Sequence, residues 1–193
     1  ETVGASSAIA VNSCTAALHL CLMRAGVERG DEVILPSITW ASTANTMHHM
    51  GARPVFVDIL PDTLNIDPAA IEGAITERTK AIMPVHLAGQ PCDLDPIYAV
   101  ARKHGIAVIE DAAHALGATY KGKRIGEYGE HTCFSFYAIK NITTIEGGAV
   151  ALKDPAEAEW FHRMAMNGLG RSAWDRYGRS SSSGPVEVIE PGF

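Results

Sequence analysis

The chain has 193 residues, of which 47% are hydrophobic and 20% charged, so it can form one domain with a sizeable core and is too apolar for general disorder. A net charge of −6 gives no electrostatic reason to expect nucleic acid or an anionic membrane as a partner. The four cysteines show neither zinc-type spacing nor the density of a secreted disulfide framework. We therefore expect free thiols in a reducing compartment, the cytoplasm, and no metal centre.

The sequence was also searched for membrane-spanning and signal segments. No stretch reaches the uncharged length needed to cross a bilayer, and the first residues lack the basic-then-apolar order of a signal peptide. The chain starts at Glu1 without an initiator Met, which suggests a fragment.

Short apolar runs alternate with helix-like stretches over the first part of the chain. This alternation predicts βα units and a three-layer α/β sandwich around a mainly parallel sheet. Because each run is apolar on both faces, we expect helices on both sides of the sheet. The predicted strands are residues 8–11, 32–35, 54–57, 81–85 and 106–109, and the predicted helices are 15–25, 41–50, 68–74 and 94–104.

The first predicted helix opens with Ser13, Cys14 and Thr15, directly after a strand. Free amides and the positive end of the helix dipole would meet there, and the two hydroxyls could bond to a phosphoryl group. Simple N-capping by Ser13 accounts for the same residues without a ligand. Cys14 has no evident base nearby, which favours a small packing residue or backbone donor over a nucleophile.

Trp40 follows the second predicted strand, on the edge where α/β sheets bind ligands. Its flat indole could stack on a flat cofactor ring. The alternative is an ordinary core tryptophan.

Asp111 ends a strand that should be central, so its carboxylate is expected to be either buried and paired or functional. A protonated pyridine nitrogen would be an adequate partner, and a salt bridge is the alternative. His114 could donate to a ring hydroxyl or be a core histidine.

Lys140 lies where an apolar strand gives way to a hydroxyl-rich turn and the pair Gly147-Gly148. We expect Ile139, Ile142 and Ile145 to desolvate it partly, which favours a nucleophilic amine suited to carbonyl chemistry. With Asp111, this suggests a pyridoxal phosphate enzyme in which the lysine is the Schiff-base partner and the aspartate the pyridinium partner. A salt-bridged surface lysine is the alternative.

Two further features flank this lysine. Ser135, five residues upstream, is a plausible phosphate contact. The glycine pair is expected to allow a close backbone approach or a turn.

Four segments together resemble the DegT group of nucleotide-sugar aminotransferases: residues 13–17, Trp40, residues 109–114 and residues 135–148. The resemblance covers nearly the whole chain. It implies an aspartate-aminotransferase-like fold, PLP fold type I, with pyridoxal 5'-phosphate as cofactor. It also implies that residues 1–178 form a PLP-binding large domain lacking its N-terminal segment. Residues 179–193 would then be a mobile loop and the start of the connection to an absent C-terminal domain.

The resemblance also assigns roles to individual residues. Lys140 and Asp111 become the catalytic pair, Trp40 the stacking residue and His114 a ring contact. Cys14 departs from the Gly or Ala more usual in the phosphate cradle, and Thr144-Ile145 departs from a glycine-containing version, which concerns substrate preference. The cofactor-binding set is Ser13, Cys14, Thr15, Trp40, Asp111, His114, Ser135 and Lys140.

The implied reaction moves an amino group from glutamate, leaving 2-oxoglutarate, to the 4-keto sugar of a nucleotide sugar, in a homodimer. Residues 138–143, 167–170 and 173–176 are most similar to the aminotransferases that make UDP-4-amino-4-deoxy-L-arabinose for lipid A modification in lipopolysaccharide. The alternatives are a sugar dehydratase of the same fold, against which Lys140 argues, and a noncatalytic module. A generic nucleotide-binding domain is disfavoured because no glycine fingerprint follows the first strand.

Overall fold

The main sheet contains seven strands in the computed structural model, which describes residues 2–169 and 188–192. The strands, in chain order, are β1 (Ser7–Val11), β2 (Glu32–Pro36), β3 (Arg53–Val57), β4 (Thr79–Ile82), β5 (Ala107–Asp111), β6 (Thr119–Tyr120), β7 (Lys123–Arg124), β8 (His131–Ser135) and β9 (Gly148–Leu152). The helices are α1 (Cys14–Arg24), α2 (Ala41–His49), α3 (Pro68–Ala74), α4 (Leu94–His104) and α5 (Ala158–Met164), with 3-10 turns at Leu87–Gly89 and Pro155–Glu157. Strands β6 and β7 form a separate two-stranded sheet.

The strand order of the main sheet is β1-β9-β8-β5-β4-β2-β3. Neighbours from β8 to β3 are parallel, so the prediction of a mainly parallel sheet is confirmed, whereas β9 is antiparallel to both β1 and β8. No helix lies between β8 and β9, whereas a parallel strand usually follows a crossover helix. The carboxyl ends of six strands and the start of β9 therefore meet at one edge.

Local sequence signals account for the best-predicted helices. Helix α3 begins where Asp67 caps the amide of Ala69 and Pro68 occupies the first turn. Helix α4 ends at Gly105, which adopts the left-handed conformation with φ 66°. The predicted fourth strand differs, because Pro84 has no N–H for the ladder: β4 ends at Ile82, and only an isolated bridge joins Val85 to Asp111.

Two buried apolar clusters lie on opposite faces of the sheet. One joins α1, α2 and α5 to residues such as Leu35 and Ile109, and the other joins α3 and α4 to Ile34 and Val108. Neighbouring residues of β2 and of β5 thus point to opposite sides, as strand geometry requires. This arrangement confirms the three-layer sandwich. The four cysteines are free, as expected, and all four are buried.

The expectation that every strand is covered on both faces is wrong at the two ends of the sheet. Ala8 and Ala10 are exposed in β1, and Phe56 is exposed in β3. Edge strands receive less helix cover than central ones, so one face of each stays open among the described residues.

The last described segment packs back against the end of α5. Val188 forms an antiparallel bridge with Leu169, and Arg163 is paired with Glu190. The rest of the predicted loop at 179–193 lies outside the described residues, as do Gly170 and residues 173–176 of the motif. In the part of the chain that is described, we find no helix with the length and apolarity to span a bilayer.

Candidate functional site

The predicted site residues converge at the edge where the strands end. Asp111 is the last residue of β5 and Ser135 the last of β8, and the two strands are parallel neighbours. Ser13 caps α1 and is separated from the end of β1 by Asn12 alone. The topology therefore brings residues more than a hundred positions apart to one place.

The start of α1 is capped and also open to an anion. Ser13 Oγ accepts a hydrogen bond from the amide of Ala16 at 3.1 Å, so the N-capping interpretation is correct as far as it goes. Cys14 and Thr15 occupy the first-turn positions, whose amides have no intrahelical acceptor. Capping and anion binding are thus compatible at this terminus.

Gly148 allows β9 to press against this turn. A Cβ at Gly148 would lie 2.4 Å from the carbonyl carbon of Ser13 and 2.6 Å from the amide nitrogen of Cys14. Gly148 pairs directly with Ser135 across the β8–β9 ladder. The predicted close backbone approach is confirmed, and it places Ser135 beside the start of α1.

Asp111 is buried, with 4% of its surface exposed, and its carboxylate is held by several donors. Oδ2 accepts from Thr43 Oγ1 at 2.9 Å, while Oδ1 accepts from the amide of Ala113 at 3.1 Å and from the thiol of Cys14 at 3.9 Å. None of the ion pairs among the described residues involves Asp111, so the salt-bridge alternative is wrong for this part of the chain.

Cys14 contributes its side chain to this arrangement, which sequence reasoning missed. Burial, followed by the nearby Asp111 and Cys21, raises the pKa of the Cys14 thiol well above its usual value, and the Lys140 charge only partly opposes this. The thiol therefore stays protonated near neutral pH and acts as a weak donor, not as a nucleophile.

Lys140 is half-buried and electrostatically linked to the same pocket. Partial desolvation, then the Lys140 ammonium, lower the pKa of His114, while Asp111 acts in the opposite direction. The turn that carries the lysine is tied down where Asn141 Nδ2 donates to the carbonyl of Leu116 at 2.9 Å. The amine, His114 and Asp111 thus share one neighbourhood.

The expectation that three isoleucines desolvate Lys140 is wrong. Ile139 and Ile145 are 80% and 75% exposed, and Ile142 is also exposed. In the loop between β8 and β9, Thr143 and Thr144 bond to backbone of the loop itself, as where Thr143 Oγ1 donates to Phe136 O, and the three isoleucine side chains stay outside the core. These isoleucines therefore do not account for the partial burial of Lys140.

Trp40 is 78% exposed at the N-cap position of α2, so the core-tryptophan alternative is wrong. Its carbonyl accepts the amide of Thr43 at 3.0 Å. Trp40 therefore lies one helical turn before Thr43, the residue whose hydroxyl binds Asp111. Thr43 was not predicted, although a hydroxyl three residues after a candidate stacking residue was the available signal.

This set of groups fits pyridoxal phosphate. A helix N-terminus with nearby hydroxyls suits a phosphate, and the backbone at the start of α1 is so close to β9 that a Cβ at Gly148 would fill the space. A buried carboxylate suits the pyridine nitrogen, and a half-buried lysine suits the aldehyde.

Residues 1–186 match the model of the DegT/DnrJ/EryC1/StrS aminotransferase family. The chain belongs to this family. It is 52% identical over 191 residues to the spore coat polysaccharide biosynthesis protein SpsC of Bacillus subtilis, covering 99% of this chain and 49% of that protein. It thus spans about half the length of the curated relatives that it matches.

Solved structures of aminotransferases have the same fold. The PMP form of the putative sugar aminotransferase Spr1654 from Streptococcus pneumoniae matches with a TM-score of 0.90 and 36% identity, over 100% of this chain and 53% of that one. DesI in the presence of its TDP-sugar product matches with a TM-score of 0.81 and 41% identity, over 86% of this chain and 42% of that one. The expected fold, PLP fold type I, is confirmed, and pyridoxal phosphate is the cofactor of this group.

Proposed function

We propose that the protein is a pyridoxal-phosphate-dependent aminotransferase that moves an amino group from glutamate to a keto sugar carried on a nucleotide. The observation that supports this most strongly is the meeting of half-buried Lys140, buried Asp111 and the start of α1 at one sheet edge, in a member of an aminotransferase family.

Each predicted residue has a task in this proposal. The first-turn amides of α1 with Ser13, Thr15 and Ser135 hold the phosphate, and Cys14 closes the space beside Asp111. Asp111 would pair with the pyridine nitrogen, and Trp40 would stack on the ring. His114 would donate to the ring hydroxyl as a neutral imidazole, because desolvation and the Lys140 charge lower its pKa.

When bound, the cofactor supplies an aldehyde that combines with amines and a ring that withdraws electrons from the attached carbon. Lys140 Nζ would hold the cofactor through its aldehyde and would also be the group that carries a proton to or from the substrate carbon. The Asn141 bond to Leu116 keeps the turn that bears this amine against the segment that follows Asp111. One lysine therefore serves both as the attachment point and as the acid-base group.

The substrates belong to the proposal as well. We infer glutamate as the donor and a UDP-linked 4-keto sugar as the acceptor. One candidate product is UDP-4-amino-4-deoxy-L-arabinose, which is used for lipid A modification. SpsC is named for spore coat polysaccharide biosynthesis, and DesI was solved with its TDP-sugar product. The nucleotide is the point that experiment must decide.

Association and organisation complete the proposal. We infer a cytoplasmic homodimer in which residues 1–178 form the PLP-binding domain and residues 179–193 lead towards a further domain. Large exposed apolar side chains close to Lys140 and Trp40, such as Ile139 and Ile145, support a subunit boundary near the site.

A substrate panel tests the function. The purified protein, loaded with pyridoxal phosphate, is incubated with glutamate and with UDP- or dTDP-linked 4-keto sugars, and 2-oxoglutarate and amino sugar are measured. We expect equimolar products with at least one sugar and none with Lys140→Ala. If every keto sugar is inert while simple oxoacids are aminated, the sugar part of the proposal is wrong.

A further inference from the structure

Thr43 is a fully buried hydroxyl that the roles assigned above do not use. It lies on α2, and its Oγ1 donates to Asp111 Oδ2 at 2.9 Å, across 68 positions of sequence. A buried polar side chain this close to a functional carboxylate needs an explanation beyond packing.

The direction of the hydrogen bonds identifies a short chain of hydroxyls. Thr39 Oγ1 lies 2.8 Å from Thr43 Oγ1, and either atom alone could be the donor. A hydroxyl carries a single hydrogen, and that of Thr43 goes to Asp111, so the hydrogen between the two threonines comes from Thr39. Thr39 therefore orients Thr43, and Thr43 orients Asp111.

The other donors to Asp111 cannot replace this contact. The amide of Ala113 and the distant thiol of Cys14 both reach Oδ1, so they leave the second oxygen free to swing. The terminal torsion of an aspartate is soft, and a bond to one oxygen does not set the plane of the carboxylate. Thr43 supplies the second point that sets it.

We propose that Thr43 is a positioning residue for Asp111. It holds the carboxylate plane so that a lone pair faces the ring nitrogen, and it links this plane to the stacking position, because its amide is bonded to the Trp40 carbonyl. This inference rests on the proposed function, since it concerns the same cofactor.

The chain offers a matched control on the same helix. Thr46 is also fully buried, but its hydroxyl donates to the carbonyl of Thr43 at 2.9 Å and does not touch Asp111. Thr43→Val and Thr46→Val each remove one buried hydroxyl at nearly constant shape. Thr43→Ser restores the hydroxyl.

The experiment compares the purified protein and these three variants after cofactor removal and titration with pyridoxal phosphate. Readouts are the dissociation constant, the pH at which the visible absorption of bound cofactor changes, and the melting temperature of the cofactor-free protein. We expect Thr43→Val to weaken binding roughly ten-fold and to move the absorption titration, because a hydrogen bond to a charged group is lost. Thr43→Ser should recover both, and Thr46→Val should change only the melting temperature.

Two results would overturn the inference. One is a Thr43→Val protein that binds the cofactor and titrates like the wild type. The other is a Thr46→Val protein whose dissociation constant and absorption titration change as much as those of Thr43→Val. A wild-type protein that does not bind pyridoxal phosphate at all would instead remove the proposed function, so the two failures are distinguishable.

Discussion

Two carboxylates stand next to each other on β5 and have opposite environments. Glu110 points between the sheet and α4, where His86 Nε2 lies at 2.9 Å and the hydroxyl of Tyr98 donates at 2.7 Å. The amide of Cys92 donates to His86 Nδ1 at 3.0 Å, so the ring hydrogen sits on Nε2 and is donated to Glu110. Both carboxylate oxygens of Glu110 and both ring nitrogens of His86 therefore have a partner within this network.

Asp111 points the other way, towards α1 and α2, and lies at the open edge of the sheet near Lys140. Both carboxylates are buried, so burial alone does not identify the one that we propose to act on the cofactor. Asp111 differs in its position: its donors orient the carboxylate, but it lies at the edge where the strands end, whereas Glu110 lies between the sheet and a helix. The comparison predicts that Glu110 contributes to the stability of the fold and that Asp111 contributes to the reaction.

The largest expected effect separates the two carboxylates by activity. Asp111→Asn should lower the transamination rate by about a hundred-fold or more, because a preorganised charge is lost at the cofactor, with little change in the urea midpoint. Glu110→Gln should lower the urea midpoint strongly, since His86 then faces an amide in a buried pair. Rates and urea unfolding of both variants check this, and the reverse pattern would refute the comparison.

Gly129 forms the wall behind Glu110 and gives the next largest effect. A Cβ there would lie 2.0 Å from Glu110 Oε1 and 2.5 Å from the hydroxyl of Tyr98. Gly129→Ala should therefore destabilise the protein by about 3 kcal/mol. In the matched control, Gly73→Ala on α3, the Cβ meets nothing within 4 Å, and stability should rise by about 0.5–1 kcal/mol.

Tyr98→Phe tests the same network with a smaller change. Removing the hydroxyl leaves Glu110 Oε1 without its donor and should cost about 1.5–3 kcal/mol in the free energy of unfolding. The affinity for pyridoxal phosphate should be unchanged, because the ring of Tyr98 lies on the face away from Asp111. A loss of cofactor affinity equal to that of Asp111→Asn would show that the two faces are not independent.

The smallest effect is a titration on the Asp111 side. His114 should titrate below its usual pKa in the cofactor-free protein, because desolvation and Lys140 favour its neutral form. Since the pKa is lower in the folded than in the unfolded state, this residue costs stability as the pH falls below about 6.5. By NMR, Lys140→Met should raise the His114 pKa and Asp111→Asn should lower it further. Unchanged values in both variants would place His114 away from the pair.

Much of the scaffold was predictable, because its signals are local. Helices α3 and α4 have the predicted bounds, since Asp67, Pro68 and Gly105 mark their ends. The antiparallel course of β9 and the short helix α5 were not predicted, because a long loop carries no sign of the direction in which the next strand runs.

The site was predictable as a set of residue types and less so as an arrangement. Alternating strands and helices predict a parallel sheet whose strands end at one edge. This shared edge brings together Asp111, Ser135 and the start of α1. The partner of Asp111 was missed, because a buried Thr43 on a polar helix looks like any other threonine until the helix is docked on the sheet. The error over Ile139 has a related cause, since an apolar residue in a loop can face outwards as readily as inwards.

The most direct test of the central claim is reduction of the cofactor-loaded protein with borohydride, followed by proteolysis and mass spectrometry of the peptides. The account predicts that the phosphopyridoxyl group is found on Lys140, and that Asp111→Asn retains this attachment with a changed absorption spectrum. Attachment to any other lysine, with Lys140 unmodified, would contradict it.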